Sequence, residues 1–331
     1  MTNPRAGSIT DVPGIEVGQA QDEAGLTGCT VVICRKGAVA GVDVRGSAPG
    51  TRETDLLNPI NLVEKVHAIL LAGGSAFGLD AAGGVMHYLE EQKIGINTGV
   101  AKIPIVPAAI LFDLALGNKN IRPDAKMGYK ACLAASNAPC EEGNVGAGAG
   151  ASVGKMFGIT LAMKSGLGSS SIRIGDLIVG AIVAVNAFGD IINPENGKIL
   201  AGLRSGKIGP LHVGGKDYFA DSLEMLKKPI GRAVLGFATR TNTVIGAVAT
   251  NARLTKSEAT KVAQMTHDGL ARAVRPAHTM LDGDTLFALS TGTKKADVTA
   301  VGSFAAEVMT QAILRAVNMS APAGGLPGLQ Q

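Results

Sequence analysis

A chain of 331 residues with 46% hydrophobic content is long enough to bury a large core and belongs among globular proteins. Its formal net charge of +4, with Lys and Arg scattered, 3% aromatic residues and no Trp, argues against a nucleic-acid partner. No apolar run reaches bilayer length before Gly, Asn or a charge interrupts it, and residues 1–8 lack an apolar signal region. The expected location is therefore the cytoplasm, away from membranes and with thiols reduced.

Four cysteines (Cys29, Cys34, Cys132, Cys140) lack CxxC spacing and any neighbouring His pattern, which argues against zinc and against a redox motif. The five histidines (His67, His87, His212, His267, His278) are dispersed and read as core or surface residues, so neither a metal nor a cofactor is expected.

In chain order, residues 30–34 and 39–44 read as strands separated by the turn-like Arg35-Lys36-Gly37, and 46–53 as a loop. Residues 68–72 form a further apolar run ending at Gly73-Gly74, and 81–92 look helical. Ser75 fails as a nucleophile elbow because Phe77 stands where glycine is required. Residues 103–116 are strand-like, and 124–136 can form an amphipathic helix. The glycine cluster 143–155 misses the Walker pattern at Ala149 and Met156. Its looser G-x-G-x-x-A form at Gly146, Gly148 and Ala151 follows a loop rather than a strand, against a dinucleotide site.

Residues 177–187 are a buried-strand candidate carrying Asn186, whereas 194–229 are polar, glycine-rich and loop-like. Thr255-x-x-Glu258 is a capping box opening a helix that ends before Pro276. Residues 285–290 read as a strand and 302–318 as a helix. Residues 1–8 and 320–331 are expected to be flexible tails. No repeat or linker divides the chain, which reads as one α+β domain.

Thr243 stands at the mouth of the apolar run 244–249, and its β-branched side chain has few rotamers. Its Oγ1 could therefore be aimed at the Asn242 carbonyl at small entropic cost, the geometry for an N→O acyl shift. Hydrolysis of the ester would leave Thr243 as a new N-terminus, with a hydroxyl and an α-amine of ordinary pKa about 7.7–8.0 on one residue. The plain alternative is that Asn-Thr simply opens a strand. Asp282-x-Asp284 puts two carboxylates on one face of an extended backbone, where mutual repulsion raises the proton affinity of one of them. A solvated turn or a cation site would look the same.

Asn242-Thr243, Ala249-Thr250-Asn251-Ala252-Arg253-Leu254 and Leu281-Asp282-Gly283-Asp284-Thr285-Leu286-Phe287-Ala288 together resemble the self-processing DmpA/β-aminopeptidase family, and most closely its nylon-oligomer hydrolase branch. Gly41-Val42-Asp43-Val44-Arg45-Gly46, Leu71-Ala72-Gly73-Gly74-Ser75-Ala76-Phe77-Gly78-Leu79 and Gly146-Ala147-Gly148-Ala149-Gly150 extend the likeness over nearly the whole chain. It implies a single-domain four-layer α/β/β/α sandwich of the N-terminal-nucleophile type, shared with ornithine acetyltransferase. It also implies cleavage into chains 1–242 and 243–331 that stay associated, within a homo-oligomer for which a tetramer is the candidate form.

The resemblance implies roles for individual residues. Thr243 becomes the nucleophile, Asp284 handles its proton and Asp282 orients Asp284. Lys155 sets their protonation states by charge pairing, and Asn186 donates to an oxyanion. Phe112 occupies a substrate-side position where family members often carry Tyr. The implied reaction is endo-type hydrolysis of linear aliphatic amides, such as ω-amino acid oligomers, with a small amide or short peptide as substrate. The aminopeptidase branch, acting on L-, D- or β-amino-terminal peptides, carries Ser-x-Glu in place of Asp282-x-Asp284 and is the alternative. Acyl transfer of the ornithine-acetyltransferase kind normally follows an Ala-Thr junction, which is not seen here. A non-catalytic relative would keep its chain intact.

Overall fold

Period-two alternation along the long strands sorts their side chains into separate cores. A computed structural model describes residues 7–235 and 242–330, and nine of its strands form one hydrogen-bonded sheet. These are β1 (Glu16–Asp22), β2 (Thr27–Val44), β3 (Thr51–Arg52), β4 (Lys65–Ala72), β5 (Ala108–Ile110), β6 (Leu167–Ile174), β7 (Leu177–Asn186), β8 (Thr243–Ala252) and β9 (Thr285–Lys294). The order across the sheet is β6-β7-β8-β9-β2-β4-β5-β3, with β1 also on β2. Four helices of more than two turns cover it: α1 (Ala81–Glu91), α2 (Ala125–Leu133), α3 (Lys256–Ala273) and α4 (Val298–Asn318).

The sheet folds back on itself. Val32, Ile69 and Leu71 from one half pack in a common core with Ile182, Ile245, Ala247, Phe287 and Leu289 from the other. The alternate residues Val183, Val185, Val244, Val248, Leu286 and Ala288 point outward under α3 and α4. Val31, Ile33, Ala68 and Leu70 point outward on the other half, under α1 and α2. Three cores between four layers give the α/β/β/α sandwich. Strands buried on both faces need nearly continuous apolar sequence, and all ten residues of β8 are buried.

β2 belongs to both halves. Residues 27–33 pair with β1 and β4, and residues 39–44 pair with β9. The expected break at Arg35-Lys36-Gly37 is instead a register shift between Ile33 and Ala38 within one strand. Gly37 sits at φ 72°, so the chain bulges and bends there rather than turning back. Over 103–116 strand pairing is confined to Ile103, opposite Ile96, and to Ala108–Ile110, since Pro104 and Pro107 supply no N–H to a ladder.

The Thr255–Glu258 capping box forms in both directions, with the Thr255 side chain accepting from the Glu258 N–H and the Glu258 carboxylate accepting from the Thr255 N–H. The segment 194–229 holds three short strands and the helix Ser222–Lys227, more order than its composition suggests. Asp190 ties it down by accepting from Leu203 N at 2.7 Å, Ser222 N at 2.6 Å and Ser222 Oγ at 2.8 Å.

Residues 320–330, expected as a flexible tail, are packed. Lys164 N donates to Pro327 O at 2.9 Å, Asn144 Nδ2 to Ala321 O at 2.8 Å, and Leu326 is buried beside Leu116 and Ala162. Backbone anchoring of this kind leaves no trace in a Gly/Pro-rich composition. Ser8 is likewise buried, as the cap of a short 3-10 turn. Residues 236–241, which open the stretch leading to Thr243, lie outside the described residues, as do 1–6 and 331. Among the described residues no helix is long and apolar enough to cross a membrane.

Candidate active site

Three strand ends meet at one place. β8 and β9 run parallel with α3 as their crossover, so their N-terminal ends lie side by side. β7 is antiparallel to β8, and its C-terminal end brings Asn186 opposite Thr243. The parallel pairing extends outward as a bridge between Asn242 and Asp282. Topology therefore gathers Asn242, Thr243, Asp282, Asp284 and Asn186, all of them buried.

The Thr243 hydroxyl donates to the Asn242 carbonyl oxygen, and the Gly283 N–H donates to that same oxygen at 2.9 Å. A backbone N–H fixed on this carbonyl stands where negative charge would develop if Thr243 attacked it. Only glycine permits the approach: a Cβ at Gly283 would lie 2.5 Å from Ala48 O and 2.9 Å from Thr243 Oγ1. The Gly41–Gly46 motif supports the same segment. Arg45 N and Gly46 N donate to Asp284 O, and Ala48 N donates to Asp282 O at 2.9 Å.

The two aspartates differ in their partners. Asp284 Oδ1 accepts from Val244 N at 2.8 Å, while its Oδ2 accepts from His278 N at 3.2 Å and faces His278 Nδ1 at 2.8 Å. Asp282 Oδ2 accepts from the Thr279 N–H at 2.9 Å and from the Thr279 hydroxyl, and its Oδ1 faces Phe188 N at 3.4 Å. Burial first, and then the neighbouring Asp284 charge, push the Asp282 carboxyl up to about 6. His278 was among the histidines expected in the core or on the surface; the structure instead puts it against Asp284.

Lys155 Nζ donates to Asn186 O at 2.9 Å and Asn186 Oδ1 at 2.6 Å. Its backbone is held to the segment after Asn186, with Lys155 N on Phe188 O at 3.1 Å. Burial pulls the ammonium down to about 7, opposed by the carboxylates of Asp282 and Asp113. The fold thus brings a lysine and an aspartate to similar proton affinities near neutral pH, a condition for passing a proton between them. Asn186 Oδ1 also accepts from Ser152 N at 3.1 Å, and its Nδ2 donates to Phe112 O at 2.9 Å. Phe112 is half-buried and touches Asn186 through this backbone carbonyl.

Asp113 and Lys164 form a second buried layer that sequence reasoning missed. Asp113 accepts from Thr27 Oγ1 and Gly74 N, each at 2.7 Å, which ties the 73–79 motif to the loop holding Phe112. Lys164 Nζ is enclosed by the carbonyls of Gly148, Ala151 and Ser165. Three acceptors call for the three hydrogens of an ammonium, although burial lowers its proton affinity to about 7 against the pull of Asp113. Lys164→Met should strand those carbonyls and cost about 1–3 kcal/mol of stability for each one left unpaired, read as a lower thermal midpoint. An unchanged midpoint would show the cage to be dispensable.

Among the described residues no group of three or more His, Cys, Asp or Glu is placed to hold a metal ion. The arrangement sets the Thr243 hydroxyl on its own preceding carbonyl, with an N–H donor, a carboxylate pair and a buried lysine around it.

Comparison with known proteins gives the chain a family. Residues 7–330 match the description of peptidase family S58. An uncharacterized aminopeptidase of Mycobacterium tuberculosis is 42% identical, over 97% of this chain and 96% of its own length. A 6-aminohexanoate-oligomer endohydrolase of Kocuria sp. is 34% identical, over 93% of this chain and 85% of its own. The solved structure of an L-aminopeptidase D-Ala-esterase/amidase from Ochrobactrum anthropi, described as a variant of the Ntn hydrolase fold, superposes with a TM-score of 0.68. It covers 99% of this chain and 91% of that one at 17% identity, which bears on the fold alone.

Proposed function

The chain belongs to peptidase family S58, a family of hydrolases, and from that premise we propose that it is a self-cleaving amidohydrolase with Thr243 as its N-terminal nucleophile. The observation that carries the reading is the Asn242 carbonyl, which holds the Thr243 hydroxyl and the Gly283 N–H together. In maturation Thr243 Oγ bonds to the Asn242 carbonyl carbon, the Asn242–Thr243 C–N bond breaks, and the hydroxyl proton passes to the departing nitrogen. Water then splits the ester, leaving the Asn242 carboxylate and a free Thr243. In turnover the same hydroxyl attacks a substrate amide, an amine departs, and water resolves the acyl ester.

Lys155 and Asp282 exchange protons during both steps. Asp284 fixes the peptide that follows the nucleophile through the Val244 N–H. The family resemblance gives the proton to Asp284; donors engage both carboxylates alike, but burial and the neighbouring Asp284 charge raise the proton affinity of Asp282, and this favours Asp282 with Lys155 for that part. Asn186 supports the oxyanion together with the backbone. Chains 1–242 and 243–331 stay together, in a homo-oligomer.

For substrate we favour linear aliphatic amides cleaved internally, including ω-amino acid oligomers of the kind named for the Kocuria relative. Both carboxylates are engaged by internal donors, so little negative charge remains to demand a substrate ammonium. Amino-terminal peptide cleavage is the second reading, favoured by the name of the 42% identical mycobacterial relative. Matched free and N-acetylated oligomers, followed by amine release, separate the two. Both should be cleaved; strict dependence on the free amine would leave an aminopeptidase.

A further inference from the structure

His278 and His267 lie behind Asp284, and nothing in the nucleophile chemistry above uses them. His278 holds a left-handed backbone, φ 55°, which few non-glycine residues adopt, Asn, Asp and His more readily than the rest. That conformation turns both its backbone N–H (3.2 Å) and its ring Nδ1 (2.8 Å) onto one oxygen, Asp284 Oδ2. A carboxylate accepts, so Nδ1 carries the hydrogen. The His267 ring meets the His278 ring edge to face at 4.8 Å between centroids. His267 comes from α3 and its side chain is fully buried. Its Nε2 lies 3.0 Å from Asp43 O and 3.6 Å from Asp43 Oδ2 on β2. Arg45 Nε donates to Asp43 Oδ2 at 2.6 Å.

We propose that His278 is a positioning residue for Asp284: its ring and backbone N–H hold Oδ2, so that Oδ1 fixes the Val244 N–H and with it the orientation of Thr243, while His267 on Asp43 keeps the ring from turning. The remaining ring nitrogens, His278 Nε2 and His267 Nδ1, are buried without a hydrogen-bond partner. Unpaired polar atoms carry a cost, and they persist here because the ring of each histidine is committed through its other nitrogen. Burial, with the His278 ring beside it, lowers the proton affinity of His267, consistent with a neutral brace. Among the described residues, the charged and titratable groups around the two rings are Asp284 and Asp282 on the segment of His278, His267 itself on α3, and Asp43 with Arg45 on β2 behind His267.

The inference rests on Thr243 being the nucleophile, and two variants test it beside wild type. His278→Gly keeps the backbone conformation and its N–H but deletes the ring donor. His278→Asn tolerates the same backbone and places an amide N–H near the Nδ1 position. Self-cleavage rate, kcat, KM and the pH profile of kcat/KM are measured for all three. His278→Gly should lose about 10²-fold in kcat with KM little changed, the scale of a misplaced reacting group. His278→Asn should recover most of the rate. If wild type is active and His278→Gly matches it in rate and profile, the inference alone falls. If His278→Gly does not fold, His278→Ala, which also lacks the ring donor, stands in for it: a lowered kcat that His278→Asn restores supports the inference, and full wild-type kcat overturns it. An uncut, inactive wild type removes the functional reading and this one together.

Discussion

Purified wild-type protein should give two masses under denaturing conditions, one for residues 1–242 and one for 243–331, whereas Thr243→Ala should give a single full-length mass and no amide hydrolysis. On the proposed function the effect is all or none, because one oxygen would perform both reactions, and among the described residues it is the Thr243 hydroxyl that donates to the Asn242 carbonyl. Thr250, the other threonine on β8, donates its hydroxyl to Ile178 O instead, at 3.0 Å. Thr243→Ser should still cleave, since it keeps the oxygen, although without the β-methyl its hydroxyl samples more rotamers. A mature N-terminus at any other residue, or clean cleavage of Thr243→Ala, would refute the assignment.

Gly283→Ala should slow self-cleavage by about 10²- to 10³-fold, the loss found when one oxyanion donor is removed. The methyl cannot be accommodated where it would stand 2.5 Å from Ala48 O, so the segment must shift and carry the Gly283 N–H away from the Asn242 carbonyl. A control at Gly83, where a Cβ meets nothing within 4 Å on the surface of α1, should process at the wild-type rate. Uncut protein accumulating in time courses of Gly283→Ala, but not of Gly83→Ala, is the expected readout. Equal rates would mean that the Gly283 N–H does not stabilise charge on that carbonyl.

What could be read from sequence was what local chemistry makes visible. Thr243 stood out because a β-branched hydroxyl residue opens an apolar run, and the Asp282-x-Asp284 pair because period two puts both carboxylates on one face. Their meeting follows from β8 and β9 being parallel, a fact of topology rather than of spacing. Gly283 was inside a motif, yet its role belongs to its backbone N–H, and no residue type announces that. His278 was passed over because a single histidine four positions before an aspartate has no pattern, and only its backbone angle aims the ring. Lys164 looked like any lysine. Its cage is built from carbonyls of a glycine cluster and a turn whose proximity sequence does not express.

The position of the proposed cut gives the mature protein a one-way history. Residues 243–331 supply β8 and β9, adjacent strands flanked on both sides by strands of the other fragment, and both helices of one outer layer. That fragment has no partner for either outer edge when alone, so assembly has to precede the cut. Afterwards the two pieces are interleaved, and separating them means opening two hydrogen-bonded seams and two cores at once. Once melted, they must find each other by diffusion, and recovery becomes a bimolecular search that weakens with dilution. Durability then resides in the height of the barrier to opening rather than in the equilibrium between folded and unfolded forms. The uncut precursor can rehearse its folding repeatedly; the finished enzyme folds once.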